Sequence, residues 1–127
     1  MVYPVICAII HFGDRVLAVQ RSESMSLPLK WEFPGGKLED NETEEECIIR
    51  EIKEELNINI EVLQRLSPVL HSYPNISIEL IPYSSKYLSG ELLLKEHKQY
   101  VLLEIEELCQ LDWAEADVPI LNQLKNL

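Results

Sequence analysis

No C-x-x-C pair and no Cys/His ligand spacing joins the three cysteines, Cys7, Cys47 and Cys109. Neither a zinc site nor a disulfide framework is therefore expected. Odd in number and widely scattered, they suit a reduced, cytoplasmic compartment. No apolar run approaches the ~20 residues that a membrane-spanning helix needs; the longest early one is Val5 to Ile10. No basic segment with a small-residue cleavage site precedes it, which argues against a secretory signal. Positive charge is scarce: 11 Lys and Arg stand against 22 Asp and Glu, a formal net charge of −11. Without a basic stripe, long nucleic acid is a poor partner. With 46% apolar and 26% charged residues, the composition is that of a folded chain. The length fits one domain, residues 1–127.

Tyr3 to Phe12 is rich in β-branched residues and reads as a buried strand. Gly13-Asp14 supplies a hairpin turn, and Val16 to Gln20 a return strand. Ser22 to Lys30 is polar, contains Pro28 and reads as a loop. Trp31-Glu32-Phe33 is a short extended piece ending at Pro34-Gly35-Gly36, a strong loop signal. Thr43-Glu44-Glu45-Glu46 has the form of a capping box opening a helix. Ile48, Ile49, Ile52 and Leu56 then recur at helical spacing, and Asn57 is a tolerated left-handed stop. Ile58–Leu63, Asn75–Tyr83 and Tyr100–Ile105 read as further strands. Asp117-Val118-Pro119 looks like the capped start of a C-terminal helix carrying Ile120, Leu121 and Leu124. The whole is a mixed α/β domain.

The negative charge is concentrated. Residues 39–55 hold nine carboxylates against Arg50 and Lys53, and so contribute −7 of the −11. A solvated helix face would explain such a block, but the spacing argues otherwise. Glu51, Glu54 and Glu55 share an arc centred near Glu51, separate from the apolar stripe. Glu51 and Glu55 form an i,i+4 like-charge pair, which costs a helix ~0.2–0.5 kcal/mol. Both lie near the helix C-terminal end, where the macrodipole disfavours anions by roughly 0.3–1 kcal/mol each. Arg50 can reach Glu54, yet no Lys or Arg stands four residues either side of Glu51 or Glu55. Carboxylates gathered without basic partners suit a hard divalent cation. Gly35-Gly36 permits close backbone approach, and Lys37 brings one positive charge. Because a carboxylate-held Mg²⁺ typically recruits substrate phosphates, a phosphate-ester or diphosphate substrate is indicated.

Gly36, five residues, Glu42, seven residues, then Arg50-Glu51-Ile52-Lys53-Glu54-Glu55-Leu56-Asn57-Ile58 resembles the Nudix box, G-x5-E-x7-R-E-U-x-E-E-x-G-U. Every fixed charged position is met; the final glycine is replaced by Asn57, which enters the left-handed region more readily than other side chains. The run Trp31 to Glu39 looks like the MutT branch. That resemblance implies a Nudix fold, a mixed β-sheet sandwiched between α-helices, and Mg²⁺-dependent hydrolysis of a nucleoside diphosphate linked to another group, with Mn²⁺ as a substitute. Carried over by position, Glu51, Glu54 and Glu55 bind metal, with the Gly35 carbonyl and Glu96 as further ligands. Arg50 orients Glu51 by a charge-assisted hydrogen bond. Glu51 or Glu96 helps deprotonate the attacking water. In the MutT branch a nucleoside triphosphate yields a monophosphate and pyrophosphate, and that reaction is expected here. A small nucleotide is the expected partner, and the protein itself a monomer or weak homodimer.

Asp117 falls where MutT-type enzymes acting on 8-oxo-dGTP carry an Asn. An ionised Asp only accepts hydrogen bonds, which suits the adjacent N–H donors of a guanine edge; cytosine would need Asp117 protonated or bound to its amino group alone. Ala116 to Ile120 also looks like relatives that prefer CTP, dCTP or 5-methyl-dCTP. The expectation leans to 8-oxo-dGTP and nucleotide-pool sanitation, with the cytosine nucleotides as alternative and a plain helix N-cap as the bland role of Asp117. Other Nudix substrates, such as ADP-ribose or a dinucleoside polyphosphate, and a catalytically silent nucleotide sensor are rival readings. Arg21 is placed either to meet nucleotide or to form a surface salt bridge. Phe33 and Tyr73 could stack on a base, with core packing the competing role for Phe33. Trp113 reads as core, and His97 is the one histidine near the site.

Overall fold

The computed structural model describes residues 1–126. Its centre is strand β1 (Val2–Phe12), which the β-branched sequence predicts from Tyr3 onward. β2 (Arg15–Gln20) returns antiparallel to it, and β3 (Trp31–Glu32) and β8 (Gln99–Leu103) flank β2. On its other side β1 runs parallel to β7 (Ile76–Ser89), which in turn pairs antiparallel with β5 (Asn59–Arg65) and β6 (Val69–Tyr73). One mixed eight-stranded sheet results.

Alternation along β1 sends successive side chains to opposite faces. Ile6, Ala8 and Ile10 pack with Ile48, Ile52 and Leu56 of helix α1 (Glu44–Leu56). Cys7 and Ile9 pack on the other face with Trp31, Phe33, Trp113 and the apolar side of α2 (Val118–Lys125). Helices thus cover both faces, the layered arrangement the sequence implies. Ile48, Ile52 and Leu56 are fully buried, each contributing about 1.5–3 kcal/mol. No helix among the described residues is long and apolar enough to cross a membrane.

Several local expectations are corrected. Gly35-Gly36-Lys37 is not loop but strand β4 (Gly35–Lys37), paired with Val5 to Cys7 of β1. Two glycines in a row leave no side-chain alternation by which to recognise a strand. Ile49 is 43% exposed, and Cys47 takes its place on the buried face. The reason is β4: it runs beside that flank of α1, bringing Lys37 O to 3.5 Å from Cys47 Sγ. β6 carries no strong sequence signal, β7 extends six residues beyond Tyr83, and Ile105 opens a 3-10 turn (Ile105–Gln110) instead of ending β8.

The α1 termini follow the sequence closely. Thr43 Oγ1 accepts from Glu46 N at 3.1 Å, and Glu46 Oε1 accepts from Thr43 N at 2.8 Å, a reciprocal capping box. Asn57 closes the helix in the left-handed region (φ 62°, ψ 25°), its N–H donating to Lys53 O. Its Nδ2 also donates to Glu91 O at 3.1 Å, a bond that glycine could not make. Asn57→Ala removes that bond and keeps the strained backbone, so denaturant titration should show a loss of about 1–2 kcal/mol.

Candidate active site

The sheet, α1 and the segments after β2 and β7 enclose a cavity of about 800 Å³. Glycines let its floor close up. A Cβ at Gly35 would stand 1.9 Å from Ile6 O, and one at Gly36 would stand 2.3 Å from Glu51 Cδ. The Glu51 carboxyl therefore lies directly against the Gly36 main chain. Arg50 holds it there: Nη1 donates to Glu51 Oε1 at 2.9 Å and to Glu54 Oε2 at 3.2 Å. The other side of the guanidinium donates to Glu42, at 3.0 and 2.7 Å. This two-bond pairing holds the Glu42 carboxyl down at about 2. Glu51 thus does have a basic partner. The i±4 spacing rule missed it because Arg50 folds back onto its own neighbour.

Gly35, Lys37, Glu51, Glu55 and Glu96 all border the cavity, whereas Glu54 does not; its side chain is 52% exposed. Among the described residues, no three acidic, His or Cys side chains already converge into a closed metal cage. Carboxylates nevertheless outnumber the positive charges there, Arg50 and Lys37. Burial, only partly offset by Arg50, raises the Glu51 pKa. Burial and then the neighbouring Glu96 raise that of Glu55. Glu55 Oε2 is buried with no hydrogen-bond partner. Oxygen donors gathered in this way, open to a cavity, fit a hydrated hard cation.

A second polar group lies around Asp117. Asp117 occupies the N-cap position of α2 yet makes no capping bond. Its Oδ2 accepts instead from Phe33 N at 2.9 Å, across 84 residues of sequence. Burial, then Glu32, push its carboxyl well above the usual carboxylate range. Tyr73, another cavity residue, accepts from Ala116 N at 3.0 Å and so fixes the segment that presents Asp117. The Phe33 ring packs on Trp113, with centroids 4.7 Å apart, in the core. Phe33 thus holds Asp117 through its main chain, while its ring lies in the core and borders the cavity. Arg21 also borders the cavity, but its guanidinium is engaged within the protein: Nη1 donates to Glu32 at 2.9 Å, while Nε and Nη2 hold Ser26. Glu32 is the residue that sequence reasoning missed. Its only sequence signal is its place beside Trp31 and Phe33 in the MutT-like run.

A NUDIX domain family model matches residues 2–124. The chain belongs to the NUDIX domain family. As a Nudix hydrolase it is 32% identical over 117 residues to the CTP pyrophosphohydrolase of Escherichia coli K12, covering 92% of this chain and 87% of that protein. It is 42% identical over 67 residues to the 8-oxo-dGTP diphosphatase of Proteus vulgaris, covering 53% of this chain and 60% of that one. Among solved structures, the solution structure of the DNA mismatch repair protein MutT, a Nudix-family hydrolase of methicillin-resistant Staphylococcus aureus 252, superposes with a TM-score of 0.78. It is 43% identical, covering 97% of this chain and 95% of that one. Glu42, Arg50, Glu51 and Glu54 of the Nudix box are bound by the structure into one charged network.

Proposed function

We propose that this Nudix hydrolase is a divalent-cation-dependent nucleoside triphosphate pyrophosphohydrolase, converting a (d)NTP and water to the monophosphate and pyrophosphate. The observation that carries the reading is one cavity bordered both by the Glu51, Glu55 and Glu96 carboxylates and by the buried Asp117. Glu51, Glu55, Glu96 and the Gly35 carbonyl would hold the cation, Mg²⁺ or Mn²⁺, with Glu54 approaching from the rim. When bound, such a cation neutralises charge on phosphate oxygens and makes a nearby water more acidic. The protein's own part is positional. Arg50 fixes Glu51, either Glu51 or Glu96 supplies the base for the attacking water, and Lys37 meets phosphate charge as pyrophosphate leaves. Hydrolysis by the parent enzyme should require Mg²⁺ or Mn²⁺ and release pyrophosphate. Release of orthophosphate alone, or turnover undiminished by a chelator, overturns the assignment.

For the base, the burial of Asp117 tips the reading from oxidised guanine to cytosine. A neutral carboxylic acid offers a donor beside an acceptor, which complements the N3 and amino group of cytosine. The relative named as a CTP pyrophosphohydrolase, matched over most of both chains, supports the same choice. 8-oxo-dGTP is the second reading, supported by the relative named for that activity. The sign of the pH dependence separates ionisation states. Asp117 is neutral below its raised pKa, so kcat/KM for CTP should fall as pH climbs through it. Asp117→Asn should remove that limb. A limb that persists in the Asn variant, or a kcat/KM for CTP that rises with pH there, refutes the neutral contact. Stability has the same sign: burial favours the protonated form of Asp117, so stability falls as pH rises through the folded pKa.

A further inference from the structure

Glu96 stands on a segment, residues 90–98, with no regular secondary structure, so its placement depends on individual bonds. Two of them tie the segment to the end of α1: Leu93 N donates to Leu56 O at 3.1 Å and Lys95 N to Glu55 O at 3.2 Å. A third, Lys98 N to Gln20 O at 2.9 Å, ties it to the end of β2. Between these anchors lies His97, its side chain only 5% exposed, with Nε2 2.8 Å from Glu32 Oε2. An ionised carboxylate only accepts, so Nε2 carries the hydrogen and donates it. Glu32 Oε1 accepts from Arg21 Nη1 at 2.9 Å, and Arg21 in turn grips the main chain and hydroxyl of Ser26. One line of polar contacts thus runs from the Ser22–Lys30 segment, through β3, to the residue beside Glu96.

We propose that His97 is a positioning residue: its bond to Glu32 sets where the Glu96 carboxylate stands relative to Glu55. Through Arg21 that placement is tied to Ser26, which borders the same cavity. The inference rests on the reading of Glu96 as a cation ligand. It differs from simple core packing in what it demands of position 97. Core packing needs a filled volume, whereas positioning needs a donor at the place of Nε2.

Two amide substitutions separate these demands. In His97→Gln the side-chain NH₂ reaches about as far as Nε2; in His97→Asn it stops near Nδ1. Mn²⁺ affinity is read by electron paramagnetic resonance on nucleotide-free enzyme, alongside kcat and KM and a thermal melt of each variant. His97→Asn should weaken Mn²⁺ binding and lower kcat by about tenfold, the lower bound for a lost outer-shell partner, with KM for nucleotide little changed. His97→Gln should recover most of both. Glu32→Leu should repeat the Asn defect, and the double variant should be no worse than the poorer single one. Equal behaviour of Gln and Asn, or additive losses in the double variant, overturns the proposal while leaving the metal reading intact. A parent enzyme that binds no Mn²⁺ and hydrolyses nothing overturns both.

Discussion

Gly36→Ala should cost at least a hundredfold in kcat while leaving the fold standing. The added methyl would lie 2.3 Å from Glu51 Cδ and 2.4–2.6 Å from both carboxyl oxygens. The three nearest atoms all belong to the end of the Glu51 side chain, so that side chain moves and the strand does not. The carboxyl is then lost from its bond with Arg50 and from the cavity, and the substitution acts as a Glu51 variant made from the opposite side. Gly35→Ala is the control. There the methyl meets Ile6 O at 1.9 Å and Cys7 Cα at 2.7 Å, main-chain atoms of the central strand, which cannot turn away. It should lose about 3 kcal/mol, the upper end of overpacking costs, and express poorly. A circular dichroism melt and a steady-state assay on both variants check the contrast. A fully active Gly36→Ala enzyme would show that Glu51 does not work from the position described.

Glu51→Gln should lower kcat by about 10³-fold, within the range a positioned base contributes, and should raise the melting temperature. The rise follows from the sign of the shift: burial lifts the Glu51 pKa above that of an unfolded glutamate, so its ionised form opposes folding at neutral pH. Gln keeps an oxygen for Arg50 to bind and drops the charge. The rise should be small, because Arg50 offsets part of the burial cost. Slow turnover together with an unchanged or lower melting point would contradict the burial argument. Retained turnover would contradict the role of the residue.

What the sequence made legible was local. The β-branched run of β1, the capping box at Thr43 and the left-handed stop at Asn57 each depend on residues within a turn or two, and each was found where its pattern stood. The fixed spacing of Glu42, Arg50 and Glu51 was equally legible because one short loop and one helix carry all three. Contacts between distant segments were not. Glu32 and His97 are 65 residues apart, and Phe33 N and Asp117 are 84 apart; no periodicity encodes either pair. The failure to see β4 has another cause. Gly35 fits beside β1 because it lacks a side chain, and two adjacent glycines erase the alternation that marks a strand. The exchange of Ile49 for Cys47 shows a third limit, since which flank of a helix is covered depends on the strand laid beside it.

The Glu51 and Glu55 carboxylates are mounted on the helix whose opposite flank seals one face of the core. Their amides should therefore exchange with deuterium only when the whole domain unfolds. The Ser22–Lys30 segment is held by Arg21, by exposed bonds of Gln20, Lys30 and Lys98, and by a few main-chain bonds, and should exchange through small local openings. One wall of the cavity can then breathe on a fast timescale to admit and release a nucleotide. The carboxylate wall is as durable as the native state itself.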